Sequence, residues 1–110
     1  MAKKIPKRVD HILQEARIEL QNIYAERLKE IILFGSYARG DYSSESDIDL
    51  LLLLDRFIDL AAEREKYIAV VSRISLKYDT VLSVIPFDFQ AYQTKKTPLI
   101  LNIHKEGVIV

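Results

Sequence analysis

The amino-acid sequence predicts one small α/β (α+β) domain, in which a mixed β-sheet packs against helices. Helix-like and strand-like segments alternate along the 110 residues, and only three Gly and three Pro are available for linkers. The segment Ile48–Leu54 is apolar at nearly every position, as expected of a strand that is covered on both faces. Two strands follow each other through a polar loop, which favours a mixed sheet over a purely parallel one. The sequence therefore predicts a single domain over residues 1–110.

A long helix and a short strand are the first predicted elements. Apolar residues between positions 9 and 28 recur with the period of an α-helix, and Pro6 suits its first turn. Residues 31–34 form an apolar run that Gly35 halts, which predicts a buried strand. A polar segment rich in Gly and Ser then leads to the apolar strand described above.

The second half of the chain predicts two helices and two strands. The apolar residues between positions 59 and 78 form one stripe, which predicts a helix. Residues 80–85 are mostly β-branched or apolar and predict a strand that Pro86 ends. The tail predicts a short helix over residues 98–105 and a final strand over residues 108–110. These patterns do not determine the order of the strands.

Composition restricts the classes of function. Lys plus Arg and Asp plus Glu number 16 each, and a formal net charge of zero disfavours direct binding of nucleic acid. The absence of cysteine excludes disulfides, thiolate nucleophiles and cysteine zinc sites. Residues 1–8 are basic but lack the apolar run of a signal peptide, and no apolar run approaches the roughly 20 residues that span a bilayer. We therefore expect a cytoplasmic domain that does not enter a membrane.

Gly35 and Ser36 form the first part of a candidate ligand site. Gly35 lacks a β-carbon, so a phosphate oxygen can approach its backbone closely. Ser36 is predicted to begin a short helix through Arg39, and the unsatisfied amides at a helix start attract anions. The Ser36 hydroxyl adds a donor and Arg39 adds a positive charge. Taken alone, the dipeptide is typical of an ordinary strand-to-helix turn.

Asp47 and Asp49 form the second part. Residues two apart on a strand point to the same face, with their α-carbons about 6.6 Å apart. Two such carboxylates suit a pair of hard cations about 3.5–4 Å apart. Magnesium takes few protein carboxylates together with substrate phosphates, and without a cation the two like charges repel each other. Taken alone, Asp-x-Asp is also typical of a solvated acidic turn before a core strand.

The two parts together are more specific than either alone. Gly-Ser closes one apolar strand, ten residues follow, and Asp-x-Asp opens the next strand. The run GSYARGDYSSESDIDL resembles the signature of the DNA polymerase beta-like nucleotidyltransferase superfamily, and within it the minimal nucleotidyltransferase (MNT) family. The resemblance covers nearly the whole chain and implies the nucleotidyltransferase fold. A basic residue is common after Gly-Ser in that family, whereas this chain has Tyr37, which leaves Arg39 to supply the charge.

The resemblance implies a magnesium-dependent transfer of AMP from ATP. Asp47 and Asp49 would hold two magnesium ions, and Gly35 and Ser36 would contact the outer phosphates while an acceptor hydroxyl attacks the α-phosphate. MNT members often pair with a HEPN-domain ribonuclease toxin and, in characterised cases, act as its antitoxin by adenylylating one of its tyrosines. The resemblance therefore implies a hetero-oligomer with a HEPN toxin, which would supply the acceptor surface, because 110 residues leave little chain for one.

A third carboxylate, which active members carry on a later strand, leaves two alternatives. Residues 80–85 contain no acid, but Asp79 precedes them and shares a face with Ser83, about 13 Å away along an extended chain. If Asp79 is level with the metals, the catalytic and metal-binding set is Asp47, Asp49 and Asp79, which is the arrangement we expect. If Ser83 is level with them, the third acid is lost. The competing hypothesis is then a binding subunit that neutralises its partner by contact alone.

Overall fold

A four-stranded sheet lies at the centre of the fold. The structure is a computed structural model that describes residues 5–110, so half of the basic segment 1–8 lies outside the described residues. The strand order is β3-β2-β1-β4; β1 is antiparallel to β2 and β4, and β2 is parallel to β3. The strands are β1 (Leu28–Phe34), β2 (Ile48–Leu54), β3 (Leu82–Asp88) and β4 (Val108–Ile109). The predicted mixed sheet is confirmed.

Helices cover both faces of this sheet. The helices are α1 (Lys7–Tyr24), α2 (Ser36–Arg39), α3 (Leu60–Tyr78), α4 (Phe89–Thr94) and α5 (Pro98–Glu106). Helices α1 and α3 pack on the face that carries Leu50 and Leu52, whereas α4 and α5 pack on the face that carries Leu51 and Leu53. Because both faces are covered, β2 is buried almost throughout, as its apolar sequence predicted. No helix within residues 5–110 is long and apolar enough to cross a membrane.

The end of α1 differs from the prediction. The apolar period continues to Leu28, but the helix ends at Tyr24 and Leu28 begins β1. Ala25, with φ 49° and ψ −119°, breaks the helix, although no Gly or Pro marks this position. Pro6 is the residue that precedes the helix and is not part of its first turn. The helix α4 was not predicted, because six residues are too few to display a helical period.

The prediction that Pro86 ends the third strand is wrong, because β3 runs through Pro86 to Asp88. This strand lies at the edge of the sheet. Leu82 N–H donates to Ser75 Oγ, and Val84 C=O accepts from the Tyr67 hydroxyl, so both residues direct their backbone groups away from β2. Backbone groups two residues apart on a strand point to the same side, so the Pro86 nitrogen also points away from β2. The N–H that proline lacks is therefore not one that would bond to β2.

Tyr24 connects α1 to the start of α3. Its side chain is buried, and its hydroxyl donates to the backbone carbonyl of Glu63 at 3.1 Å. The Glu63 side chain is also buried and forms an ion pair with Arg27. Burial raises the pKa of Tyr24 to about 12, and the Glu63 carboxylate adds to this effect, while Arg27 opposes it. The neutral phenol is therefore the form that the folded state prefers.

This preference predicts that Tyr24 weakens the fold at high pH. An unfolded tyrosine ionises near pH 10, so between about pH 10 and 12 the unfolded state loses a proton that the folded state retains. Ionisation of Tyr24 does not affect the free energy of unfolding below about pH 10. Between about pH 10 and 12 it lowers that free energy by up to about 1.4 kcal/mol per pH unit. We expect Tyr24→Phe to cost about 1 kcal/mol at pH 8 through the lost hydrogen bond, and less at pH 11. Urea unfolding at the two pH values measures this; an equal cost at both would contradict it.

Candidate active site

The hairpin of β1 and β2 brings the two parts of the sequence motif together. Phe34, the last residue of β1, pairs with Asp49 in the antiparallel ladder. Gly35 follows Phe34 directly, so the Gly-Ser turn lies beside the acidic pair. The alternation of side chains places Asp49 on the same face of β2 as Leu51, which is the face that α5 covers.

Gly35 is required by two features of this turn. Its backbone has φ 79° and ψ −155°, a conformation that residues with a side chain rarely adopt. A β-carbon at Gly35 would lie 2.3 Å from Asp49 Oδ2, which is far inside van der Waals contact. The sequence suggested that the missing β-carbon admits a phosphate, whereas in the structure the carboxylate of Asp49 lies over that space. The contact fixes the position of Asp49 relative to the turn.

The predicted short helix after the turn is present as α2. The amides of Ala38 and Arg39 donate to Gly35 C=O at 3.1 and 3.0 Å, and these are the first bonds of the helix. The N–H groups of Ser36 and Tyr37 precede these bonds, as the first amides of any helix do. These two amides and the Ser36 hydroxyl are the donors that the turn presents next to Asp49.

Tyr37 is a core residue. Its side chain is 4% exposed, and its ring stacks on Tyr42 with 4.7 Å between the ring centroids. Its hydroxyl donates to the Ser43 carbonyl at 3.4 Å, which ties α2 to the loop before β2. Tyr37 therefore anchors the turn instead of contacting a ligand, and the charge for a phosphate has to come from another residue.

Arg39 is a basic residue whose charge acts on Asp49. Its Nε donates to Asp41 Oδ2 at 3.1 Å, and its guanidinium also lies 3.8 Å from a Glu106 oxygen. The hydrogen bond to Asp41 raises the pKa of Arg39, and Glu106 and Asp49 raise it further, so the side chain carries its charge throughout. The Arg39 side chain is 43% exposed, Asp41 is exposed and Glu106 is half-buried, and ion pairs this accessible to water are weak.

Asp47 and Asp49 differ in their surroundings. Asp47 is exposed and precedes β2, whereas Asp49 is half-buried within the strand. Burial raises the pKa of Asp49, the neighbouring carboxylate of Asp47 raises it further, and Arg39 opposes both effects. The two acids are therefore close enough to repel each other, and the protein compensates this charge only in part.

This donor set fits magnesium. Two carboxylates at the start of a buried strand offer the few hard oxygen ligands that magnesium takes from a protein, and their mutual repulsion favours a cation between them. Among residues 5–110 there is no group of three or more His, Cys, Asp or Glu side chains that could hold a metal ion. The remaining ligands would have to come from substrate phosphates and water.

The register of β2 and β3 decides between the two positions for the third acid. Asp49 pairs with Ser83, so Ser83 is level with the acidic pair on the same face of the sheet. Asp79 instead ends α3 in the left-handed conformation, with φ 51°, before β3 begins. The structure thus corrects the expectation that Asp79 joins Asp47 and Asp49. Asp79 ends a helix because Asp tolerates this backbone conformation better than most residues do.

Helix α5 contributes residues that the sequence did not indicate. A cavity of about 250 Å³ lies between the Gly35 turn and α5. From α5 it is lined by Leu99, Asn102, Ile103 and Glu106. No local pattern marks these residues, since they reach the turn only because α5 packs on the sheet. The cavity extends the candidate site from the turn towards α5.

Comparison with known proteins gives the family. The model of the nucleotidyltransferase domain family matches residues 7–110. The chain belongs to the nucleotidyltransferase domain family. A relative, the candidate protein adenylyltransferase MJ0141 of Methanocaldococcus jannaschii, is 41% identical to this nucleotidyltransferase over 99 residues, which cover 90% of this chain and 95% of the relative.

Two solved structures share the fold of this nucleotidyltransferase. A toxin–antitoxin complex with AMP-PNP matches with a TM-score of 0.56 at 23% identity, over 86% of this chain and 68% of the matched chain. A complex of an MNT antitoxin with the tri-AMPylated HEPN toxin of Shewanella oneidensis matches with a TM-score of 0.51 at 22% identity, over 89% and 70%. At these identities the matches establish the fold, and they confirm the predicted nucleotidyltransferase fold.

Proposed function

We propose that this nucleotidyltransferase is a magnesium-dependent protein adenylyltransferase that acts as an antitoxin. It moves AMP from ATP to a hydroxyl of a HEPN-domain toxin, and the acceptor is a tyrosine. The observation that carries the proposal is the close approach of the Asp49 carboxylate to Gly35, which unites the donors of the turn with the acidic pair. The 41% identity to a candidate protein adenylyltransferase supports a protein acceptor.

Each residue of the site has a distinct role in this reaction. Asp47 and Asp49 hold two magnesium ions, which neutralise charge on the phosphates when bound. The Ser36 hydroxyl and the amides at the start of α2 donate to the outer phosphates of ATP. Arg39 exchanges its weakly bound partners, Asp41 and Glu106, for a phosphate oxygen.

The chain itself supplies position and charge and no nucleophile. The acceptor oxygen forms a bond to the α-phosphorus, the bond to the oxygen that bridges to the β-phosphate breaks, and pyrophosphate leaves. The turn and α2 fix the phosphates, and fixed donors stabilise the charge that develops during transfer. These roles, in which the protein positions the phosphates and balances their charge, agree with a site made of the side chains of Asp47, Asp49, Ser36 and Arg39.

A second candidate function is neutralisation of the toxin by contact alone. The observation that favours it is Ser83, because the position level with Asp49 carries a hydroxyl where a third acid would complete the site. In that case the nucleotide site is idle, and protection comes from burial of the toxin surface in a stable complex. The two functions predict different effects of the acidic pair on the toxin.

Co-expression with the proposed HEPN-domain partner separates the two functions. We expect the toxin to become heavier by one or more AMP units on a tyrosine, and cells to grow. With Asp47→Asn and Asp49→Asn together, the mass should stay unchanged and toxicity should return, because the phosphates are no longer held for transfer. Intact-mass spectrometry of the toxin and a growth assay give the two results.

The matched control is Glu45→Gln, which removes an exposed carboxylate from the same loop. This variant should protect cells and modify the toxin as the unmodified chain does. Protection by the Asp47→Asn, Asp49→Asn variant, without a mass shift in any sample, would refute the enzymatic proposal and support neutralisation by contact.

A further inference from the structure

The position on β3 that is level with Asp49 carries Ser83, which is not a group that could take a proton from an acceptor. Ser83 is half-buried beside Asp49, and its hydroxyl is not basic at neutral pH. The charged residues that act on Asp49 are Asp47 and Arg39, and neither is free to serve as a base, since one belongs to the acidic pair and the other is a cation. Within residues 5–110, no third His, Cys, Asp or Glu joins Asp47 and Asp49 in a group that could hold a metal ion.

The other candidate bases have positions elsewhere in the fold. Asp88 pairs with Leu54 at the far end of β2, where its carboxylate accepts from the Ala91 amide. His104 stacks on Tyr92 with 4.1 Å between the ring centroids, and His11 packs edge-on against Tyr78. Asp79, as described above, ends α3. Two further carboxylates, Asp41 and Glu106, pair with the Arg39 guanidinium at 3.1 and 3.8 Å, and Glu106 lines the cavity beside Gly35, on the β1 side of Asp49. On the β3 side, the residue level with Asp49 is Ser83, so β3 presents no carboxylate there that could act as a general base.

We propose that Ser83 determines the class of acceptor: without a carboxylate at this position, the site uses hydroxyls that ionise unaided and rejects aliphatic alcohols. The inference rests on the proposed function and adds the residue that sets acceptor selectivity. A tyrosine phenol has a pKa of about 10, so about one molecule in a thousand is ionised at pH 7. Aliphatic alcohols are far weaker acids, closer to water with its pKa of about 15.7.

In the proposed reaction, the transfer of AMP to a phenol takes place without a base from the protein. The phenol loses its proton to bulk water before the attack, and the phenolate oxygen then bonds to the α-phosphorus. Pyrophosphate leaves with the electron pair of the broken bond. A positioned general base typically accelerates such a step by about 10²–10⁴-fold, which is the advantage that an aliphatic alcohol would need and does not receive here.

The test uses small acceptors, so that it does not depend on a partner. The chain is incubated with magnesium and ATP and with N-acetyltyrosinamide, its 3,5-difluoro derivative or N-acetylserinamide, and AMP adducts are counted by mass spectrometry. We expect transfer to the tyrosine compounds alone. The rate should rise about tenfold per pH unit between pH 7 and 9 with N-acetyltyrosinamide, following its ionised fraction. At pH 7 the fluorinated compound, a stronger acid, should react faster.

Two variants test the role of position 83 directly. Ser83→Asp should flatten the pH dependence and raise transfer to N-acetylserinamide by about 10²–10⁴-fold, because it supplies a base. Ser83→Asn, which matches Asp in size but carries no charge, should neither flatten the pH dependence nor gain transfer to N-acetylserinamide. The fluorinated acceptor needs no variant, so the inference can be tested even if Ser83→Asp fails to fold.

Three results would overturn the inference while leaving adenylyl transfer intact. They are comparable transfer to N-acetylserinamide and N-acetyltyrosinamide, a pH-independent rate between pH 7 and 9, and no effect of fluorination. Absence of transfer to every acceptor, together with an unmodified toxin in the co-expression experiment, would instead refute the proposed function and this inference with it.

Discussion

Replacement of Asp47 and Asp49 by Asn together is expected to reduce AMP transfer by about three orders of magnitude or more without unfolding the chain. In the proposed function the acidic pair holds the ions that neutralise the phosphates, so its removal leaves the charge of the phosphates uncompensated. The fold should tolerate the change, because burial and repulsion already raise the pKa of Asp49, so its charge opposes folding. The unfolding midpoint should stay the same or rise slightly.

Ligand-dependent stability measures the binding part of this prediction. A ligand at 100 times its dissociation constant stabilises a protein by about 2.7 kcal/mol. Magnesium and ATP should therefore shift the unfolding midpoint of the unmodified chain and of Glu45→Gln, but not that of the double variant. An equal shift for all three would show that the acidic pair does not hold the nucleotide.

Gly35→Ala is expected to damage stability and activity together. The backbone conformation at Gly35 alone costs a residue with a side chain about 1–3 kcal/mol. The new methyl group would also lie 2.3 Å from Asp49 Oδ2, so the carboxylate has to move. Because the proposed function needs Asp49 beside the turn, transfer should fall even in the fraction of molecules that remain folded. Urea unfolding and the co-expression assay measure the two effects.

Two comparisons separate the effect of backbone strain at Gly35 from the effect of the steric clash with Asp49. Gly40→Ala also places a side chain on a backbone with positive φ, here 92°, but not beside Asp49, so it should cost stability and spare transfer. In an Asp49→Gly background, Gly35→Ala no longer meets the Asp49 carboxylate. Its cost in stability should then fall towards the cost of the strained backbone conformation alone. A cost that is the same in both backgrounds would mean that Asp49 does not press on the turn.

Local sequence indicated the part of the candidate site that lies within one hairpin. Gly35, Ser36, Asp47 and Asp49 lie between the end of β1 and the first residues of β2, and a buried strand such as Ile48–Leu54 is evident from its composition. That Ser83 is level with Asp49 was not predictable in the same way. This alignment depends on where α3 ends and on the register between β3 and β2, and both are set by long-range packing.

The errors in the fold have the same origin. Leu28 continues the apolar period of α1, and only the backbone at Ala25 turns the chain out of the helix. Pro86 is compatible with β3 because this strand is at the edge and the proline nitrogen faces away from β2. Neither the end of α1 at Ala25 nor the acceptance of Pro86 within β3 can be inferred from neighbouring residues, because each depends on packing with other parts of the chain.

The hairpin also has a consequence for how the site forms as the chain folds. β1 and β2 are neighbours in sequence, so Gly35 and Asp49 can meet after closure of one short loop. Ser83 joins them only after α3 has crossed back over the sheet, because parallel pairing of β2 and β3 needs that connection. In the proposed function, the half of the site that holds the nucleotide thus depends on local contacts, and the position that selects the acceptor depends on distant ones. On that proposal, substitutions at position 83 change acceptor chemistry while the hairpin keeps its own folding route.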